Sequence, residues 1–291
     1  MSRADLRTGM LLLAVTAVGW GLNWPAMKVL LREWPPLFAR GTAGIAAALA
    51  LAALAVARGQ SLAVPAGEWP RLLAAAAINV TAWMGLSTLS MRWLAAGEGA
   101  LVVYTMPIWA TLLAWPVLGE RPTPRRLVAL ALGIGGIALL FAEQSLALDS
   151  DKLVGILLAL GAAVLFAFGT VAQRRPLPLP PLPSVVWQVG LGCVPLLLLA
   201  AAFERPRFDA LSGVGAAVMA YMTIVPMGVC YLSWFAALRH LPPATASMAT
   251  LITPVVGVVS ASLALGEPLG AQQLLALAFT LGGVALALRS R

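Results

Sequence analysis

Apolar residues fall in runs of about 18 to 22 positions, separated at near-regular intervals by short clusters of charge, glycine and proline, and each run is long enough to cross a ~30 Å hydrocarbon core as a helix. The pattern predicts ten helices, at 10–31, 36–57, 70–91, 97–118, 125–142, 152–173, 184–203, 212–235, 243–265 and 270–288. The first run follows Arg3 and Arg7 as a secretory signal would. It is longer than a signal core and no small-residue cleavage pattern closes it, so it reads as a retained first span.

Composition agrees with that pattern. Of 291 residues 61% are hydrophobic and 10% charged, against roughly 25% charged in soluble domains, and no segment resembles a separate soluble unit. A net charge of +8 would suit nucleic acid in a soluble protein. Here twelve of the 19 Lys and Arg fall on the side of the N-terminus and seven on the other, as expected when cytoplasmic loops retain basic residues. Both termini are therefore predicted cytoplasmic, and nucleic acid is not expected as a partner.

The chain also repeats itself. A shift of 147 positions aligns 91–139 with 238–286 without a gap: Arg92 meets Arg239, Pro107 meets Pro254, Gly119-Glu120 meets Gly266-Glu267 and Gly135-Gly136 meets Gly282-Gly283. A shift of 146 places Gly9 on Gly155, Trp20 on Phe166 and Lys28 on Arg174. Five spans per copy oblige the second copy to enter the membrane from the opposite side. The expected architecture is an all-α integral membrane protein of two inverted five-helix repeats, 1–147 and 148–291, in one membrane domain; secondary transporters place their site between such repeats.

These features, with the aromatic-rich first helix, LGE at 118–120 and 265–267 and the terminal GG helices, resemble the EamA family of the drug/metabolite transporter superfamily over nearly the whole chain. Among its members the chain looks most like the YddG-type amino-acid exporters. The resemblance implies ten helices, cytoplasmic termini, a central cavity and export of small metabolites across the bacterial inner membrane. A monomer is the expected functional unit, with a small-molecule substrate and membrane lipid as its partners.

Candidate site residues come from helical spacing. Thr16, Trp20, Asn23, Trp24 and Met27 share one stripe of the first helix, and Pro25 removes a backbone donor there, freeing a carbonyl near Gly21. The mate helix carries Phe166, Gly169 and Thr170. Helix three offers Asn79 and Trp83, helix four Tyr104, helix eight Tyr231 and helix nine Thr250. Trp20, Asn23, Trp24, Asn79, Trp83, Tyr104, Phe166, Thr170, Tyr231 and Thr250 are thus expected to line the cavity, with Pro25, Pro107 and Pro254 as hinges. The LGE glutamates are expected to face the start of the helix that follows each, the GG pairs to give close helix contact, and PLPLPPLPS (176–184) to be a stiff extended connection.

Fixed charge excludes several functions. Every Asp and Glu lies near a predicted span end, which disfavours a proton-exchanging carboxylate for cationic drugs. Lys28, Arg40 and Glu98 are the nearest candidates for charged cavity groups, and each is expected rather to reach the interface as a solvated anchor. His240 stands alone, Cys193 and Cys230 form neither a disulfide framework nor a metal motif, and no GxSxG, HExxH or P-loop occurs. No enzyme activity, metal or cofactor is expected. An uncharged lining of Trp, Tyr, Asn, Ser and Thr suits amino acids, aromatic ones included; other metabolites, drugs and nucleotide sugars are the alternative cargoes.

Overall fold

The computed structural model describes residues 3–119, 121, 123–141, 150–173, 177–241 and 250–289. Among them are thirteen α-helices: α1 Arg3–Leu30, α2 Pro36–Ala57, α3 Trp69–Ala76, α4 Trp83–Ser90, α5 Ala96–Val103, α6 Met106–Leu118, α7 Pro124–Leu140, α8 Ser150–Ala172, α9 Pro181–Phe203, α10 Gly213–Ile224, α11 Cys230–His240, α12 Ile252–Leu265 and α13 Ala271–Arg289. Seven helical segments are long and apolar enough to cross a membrane, and Ile252–Leu265 and Ala271–Leu286 are shorter apolar helices. The exposure pattern is inverted relative to a soluble protein: Leu263 is 83% exposed, whereas Arg40 is 3% exposed.

Prolines and glycines set the boundaries. Pro36 and Pro124 open α2 and α7, where a fixed φ and a missing N–H cost nothing. Gly119 and Gly266 close α6 and α12 at φ of 78° and 70°, the left-handed conformation that a residue without a Cβ adopts freely. The proline-rich connection is shorter than expected, because Pro181 and Pro183 are taken into the first turn of α9.

Three predicted helices are interrupted. Predicted helix three consists of α3 and α4 joined by a π-helical segment, Ala77–Ala82, and predicted helix eight of α10 and α11 joined by another, Val225–Val229. Predicted helix four breaks at Tyr104–Thr105 between α5 and α6. Most of the first half of predicted helix nine, 242–249, lies outside the described residues; a turn at Thr250–Leu251 leads into α12.

The main packing pairs are α7 with α13, α2 with α9, α1 with α11 and α12, and α8 with α4 and α6. One glycine of each GG pair makes the close approach at the α7–α13 crossing. A Cβ at Gly136 would stand 2.5 Å from the Thr280 hydroxyl and 3.0 Å from the Ala276 carbonyl, and one at Gly283 would stand 2.7 Å from the Ala129 carbonyl and 3.1 Å from the Gly133 N–H. Gly282 meets nothing within 4 Å and Gly135 only Phe279 at 3.7 Å, so the expected contact belongs to the second glycine of each pair.

Candidate functional site

Two aromatic groupings form along α1, one with α11 and one with the break between α5 and α6. The Trp20 ring stands edge-on to Tyr231 at 5.6 Å and tilts against Trp234 at 6.0 Å. One turn on, Trp24 meets Tyr104 at 6.2 Å. A third pair lies where α4 meets α8, Trp83 against Phe166 at 5.9 Å. Trp20 and Phe166, equivalent under the repeat, therefore take their ring contacts in different pairs, although Trp83 packs against both major apolar clusters of the interior.

The polar members divide into satisfied and unsatisfied groups. The Trp20 indole N–H donates to the Pro226 carbonyl at 3.0 Å. That carbonyl lies in the second π-helical segment, where the displaced ladder frees backbone groups. The Tyr221 hydroxyl donates to the Gly19 carbonyl at 2.8 Å, and Thr16 donates to the carbonyls of Leu12 and Cys230. By contrast, the Asn23 Oδ1, the Asn79 Oδ1 and the Trp83 Nε1 are buried without a hydrogen-bond partner among the described residues. Asn79 sits on the first π-helical segment, and its Oδ1 occupies the space a side chain at Gly169 would need.

Thr170 is exposed, with its hydroxyl donated to the Phe166 carbonyl of its own helix at 2.9 Å. Thr250 lies in the turn before α12, and its carbonyl accepts the Thr253 N–H at 3.0 Å, so the carbonyl expected to lose its donor to Pro254 finds one three residues on. Pro107 is the second residue of α6, just after the break at Tyr104–Thr105, and Pro254 is the third of α12, just after the turn at Thr250–Leu251. Pro25 differs: α1 continues through it to Leu30. The backbone near it is used for packing, since a Cβ at Gly21 would stand 2.9 Å from the Thr253 carbonyl and one at Gly257 would stand 3.6 Å from the Gly21 carbonyl.

The expectation for Arg40 is overturned. It is 3% exposed, and its Nε and Nη1 have no hydrogen-bond partner among the described residues. Its electrostatic neighbours are the Cys193 thiol and the Tyr231 and Tyr104 phenols, which join it to the Trp20 and Trp24 pairings. In a helix a side chain four residues from the N-terminal end leans back toward that end, which favours an interfacial anchor. Packing of α2 against α9 turned it inward. Lys28 also does not float at the interface: its ammonium donates to the Met91 and Leu94 carbonyls, the latter at 2.7 Å.

Carboxylates at one end of the molecule cap helix starts. Glu204 accepts from the Leu37 and Phe38 N–H groups at 3.0 and 2.8 Å, and Glu267 from those of Ala96 and Gly97 at 2.6 and 2.9 Å. Glu33 accepts from the Ser212 N–H and hydroxyl at 2.8 and 2.6 Å, and these bonds hold its carboxyl below the ordinary carboxylate value. Glu98 accepts from the Ala95 N–H and pairs with Lys152 at 2.9 Å. Glu267 thus reaches α5 rather than the start of α13, because exposed peptide N–H groups attract a carboxylate wherever the fold brings them. Glu120, its counterpart, is outside the described residues. At this end opens a cavity of ≈ 570 Å³ whose lining includes Lys28, Arg32, Arg92, Arg205 and Arg207 beside Glu33 and Glu204.

The chain is similar to several known proteins. A Salmonella typhimurium protein named "Probable amino-acid metabolite efflux pump" is 29% identical over 98% of this chain and 94% of its own. The "Uncharacterized transporter YvbV" of Bacillus subtilis is 28% identical over 89% and 84%, and the "Uncharacterized inner membrane transporter YedA" of Escherichia coli is 26% identical over 92% and 86%. A solved crystal structure superposes with a TM-score of 0.70 at 19% identity, covering 98% of this chain and 97% of the other, a likeness of fold. The sequence model of the EamA-like transporter family matches twice, over residues 7–142 and 153–289. With nearly its whole length matched in this way, the chain belongs to the EamA-like transporter family and is a multi-pass membrane transporter rather than an enzyme.

Proposed function

We propose that the protein is a secondary transporter that exports amino acids, aromatic ones included, and related small metabolites across the bacterial inner membrane. The observation that carries this reading is that Asn23, Asn79, Trp83 and Arg40 are among the buried polar groups without a partner among the described residues, in a protein whose helices also form three aromatic pairings. A buried polar group left unpaired costs about 1–3 kcal/mol, and a solute with an apolar body and polar ends would satisfy these groups in turn.

The transport cycle is alternating access between two inverted five-helix halves, 1–147 and 148–291, in a monomer with cytoplasmic termini. Three features support the repeat. The family matches twice. The π-helical segments Ala77–Ala82 and Val225–Val229 stand about one repeat apart. The glycine contacts are reciprocal, since Gly136 meets Ala276 and Thr280 while Gly283 meets Ala129 and Gly133. Reciprocity of that kind is what a two-fold relation produces. The breaks ahead of Pro107 and Pro254 are the points about which the halves rock.

Counterflow of labelled amino acids in proteoliposomes tests the proposal. Saturable exchange is expected, with phenylalanine or tryptophan among the cargoes. Absence of saturable exchange across the amino-acid set, with exchange of a nucleotide sugar or drug instead, would replace the substrate assignment.

A further inference from the structure

We propose that Arg40 is the anion receptor of the central site, so that a transported solute must present a carboxylate to it; the assignment rests on the transporter reading above. An arginine is charged at any physiological pH, and burying an ion without a partner costs several kcal/mol. A structural arginine meets this cost with a carboxylate or a set of carbonyls. Arg40 has neither among the described residues, and its Nε and Nη1 remain open.

Four carboxylates among the described residues are committed elsewhere. Glu33, Glu204 and Glu267 hold helix N-termini, and Glu98 holds Lys152 and the Ala95 N–H. No Asp or Glu occurs deep within a predicted span, so the counter-charge must arrive with the cargo.

The neighbours of Arg40 fit that role. The Tyr104 and Tyr231 phenols lie in its electrostatic surroundings, and each packs against a tryptophan, Tyr104 tilted against Trp24 and Tyr231 edge-on to Trp20. Those rings offer an apolar wall to the rest of the solute. The unpaired Asn23 and Asn79 carbonyl oxygens are acceptors, suited to an ammonium rather than to an anion. Donors on Arg40 and acceptors on the two asparagines are, by type, those a zwitterion needs. A guanidinium recognises a carboxylate by charge-assisted and often bidentate hydrogen bonds, so a cargo lacking that group should be disfavoured strongly.

The test compares four probes on the wild-type protein: L-phenylalanine, 3-phenylpropionate, L-phenylalaninamide and phenethylamine, each measured by thermal stabilisation in detergent and by inhibition of counterflow, with chloride as an inorganic control. The two carboxylates are expected to stabilise the protein, and the amide and amine to be at least about tenfold weaker, the value of one charge-assisted hydrogen bond. Arg40→Gln should erase the preference for the acid over the amide, and Arg40→Lys should keep part of it. An amide that binds wild type as tightly as the acid overturns the proposal, as does an Arg40→Gln variant that keeps the preference, or protection by chloride that phenylalanine does not displace. If Arg40→Gln fails to fold, the four probes on wild type decide alone. Protection by 3-phenylpropionate with no amino-acid counterflow would remove the amino-acid assignment and leave Arg40 as the receptor.

Discussion

The wall that α1 makes with the second π-helical segment and the wall that α8 makes with the first are built to the same plan with the chemistry exchanged. A shift of 146 sets Asn23 of α1 opposite Gly169 of α8, and a shift of 147 sets Asn79 of one π-helical segment opposite Pro226 of the other. Each wall therefore holds one asparagine, on the long helix in one case and on the π-helical segment in the other. Both amide oxygens are buried and unpaired. The tryptophans differ in the same way, since Trp20 donates to Pro226 while the Trp83 N–H has no partner. Packing follows the repeat, with α1 on α11 and α12 as α8 is on α4 and α6. The helix pairings of the two walls thus correspond under the sequence shift, and the unpaired polar groups are distributed differently on them.

The α8 wall should be the easier one to break. A Cβ at Gly169 would lie 2.8 Å from Ile78 Cγ2 and would overlap the Asn79 amide. Gly169→Leu is expected to lose counterflow altogether and to lower the melting temperature, with overpacking of this kind costing about 1–3 kcal/mol. Asn79→Ala on a Gly169→Ala background should recover the melting temperature of Gly169→Ala without recovering transport, because it clears the space but removes the acceptor. Failure of the pair to couple in the melting assay would separate Asn79 from Gly169.

Asn79→Ala alone should show the reverse division. Its Oδ1 has no protein bond to lose, so the melting temperature should hold, while counterflow falls by about tenfold, the worth of one hydrogen bond made to the cargo. A fall in melting temperature with transport intact would make Asn79 a packing residue. Trp20→Phe is the matched change on the other wall. It deletes the bond to Pro226 and should cost about 1 kcal/mol of stability, with a smaller loss of flux than Asn79→Ala.

Legibility in the sequence followed the same line between scaffold and site. The boundaries of α2, 36–57, and the ends of α6 and α12 at LGE could be read because proline and glycine act locally. The stripe of Trp20, Asn23 and Trp24 was legible from helical spacing. The π-helical segment at Ala77–Ala82 was not, since AINVTA carries no proline and its extra residue shows only in tertiary packing; Pro226 was the one local signal in its counterpart. Arg40 was misplaced because sequence position alone favours an anchor, and which way α2 turns is decided by α9. Glu267 was misplaced for a similar reason, as its target lies 171 residues earlier in the chain.

The smallest expected effect concerns the rim, where Glu33 and Glu204 clasp the loops of one half to helices of the other. Hydrogen bonds from Ser212 stabilise the ionised form of Glu33 and lower its pKa in the folded protein. A group with a depressed folded value contributes stability that is present above its unfolded value, near 4.3 for glutamate, and is lost as pH falls through the folded value. Glu33→Gln should therefore be slightly less stable than wild type at neutral pH and should lose less stability on acidification below about pH 4.3. Melting temperatures measured in detergent across that range give the comparison. Parallel curves for the two proteins would mean that the Glu33–Ser212 clasp adds nothing to folding, and that other contacts at this end, among them Glu204, Glu267 and the Glu98–Lys152 pair, join the two parts of the chain.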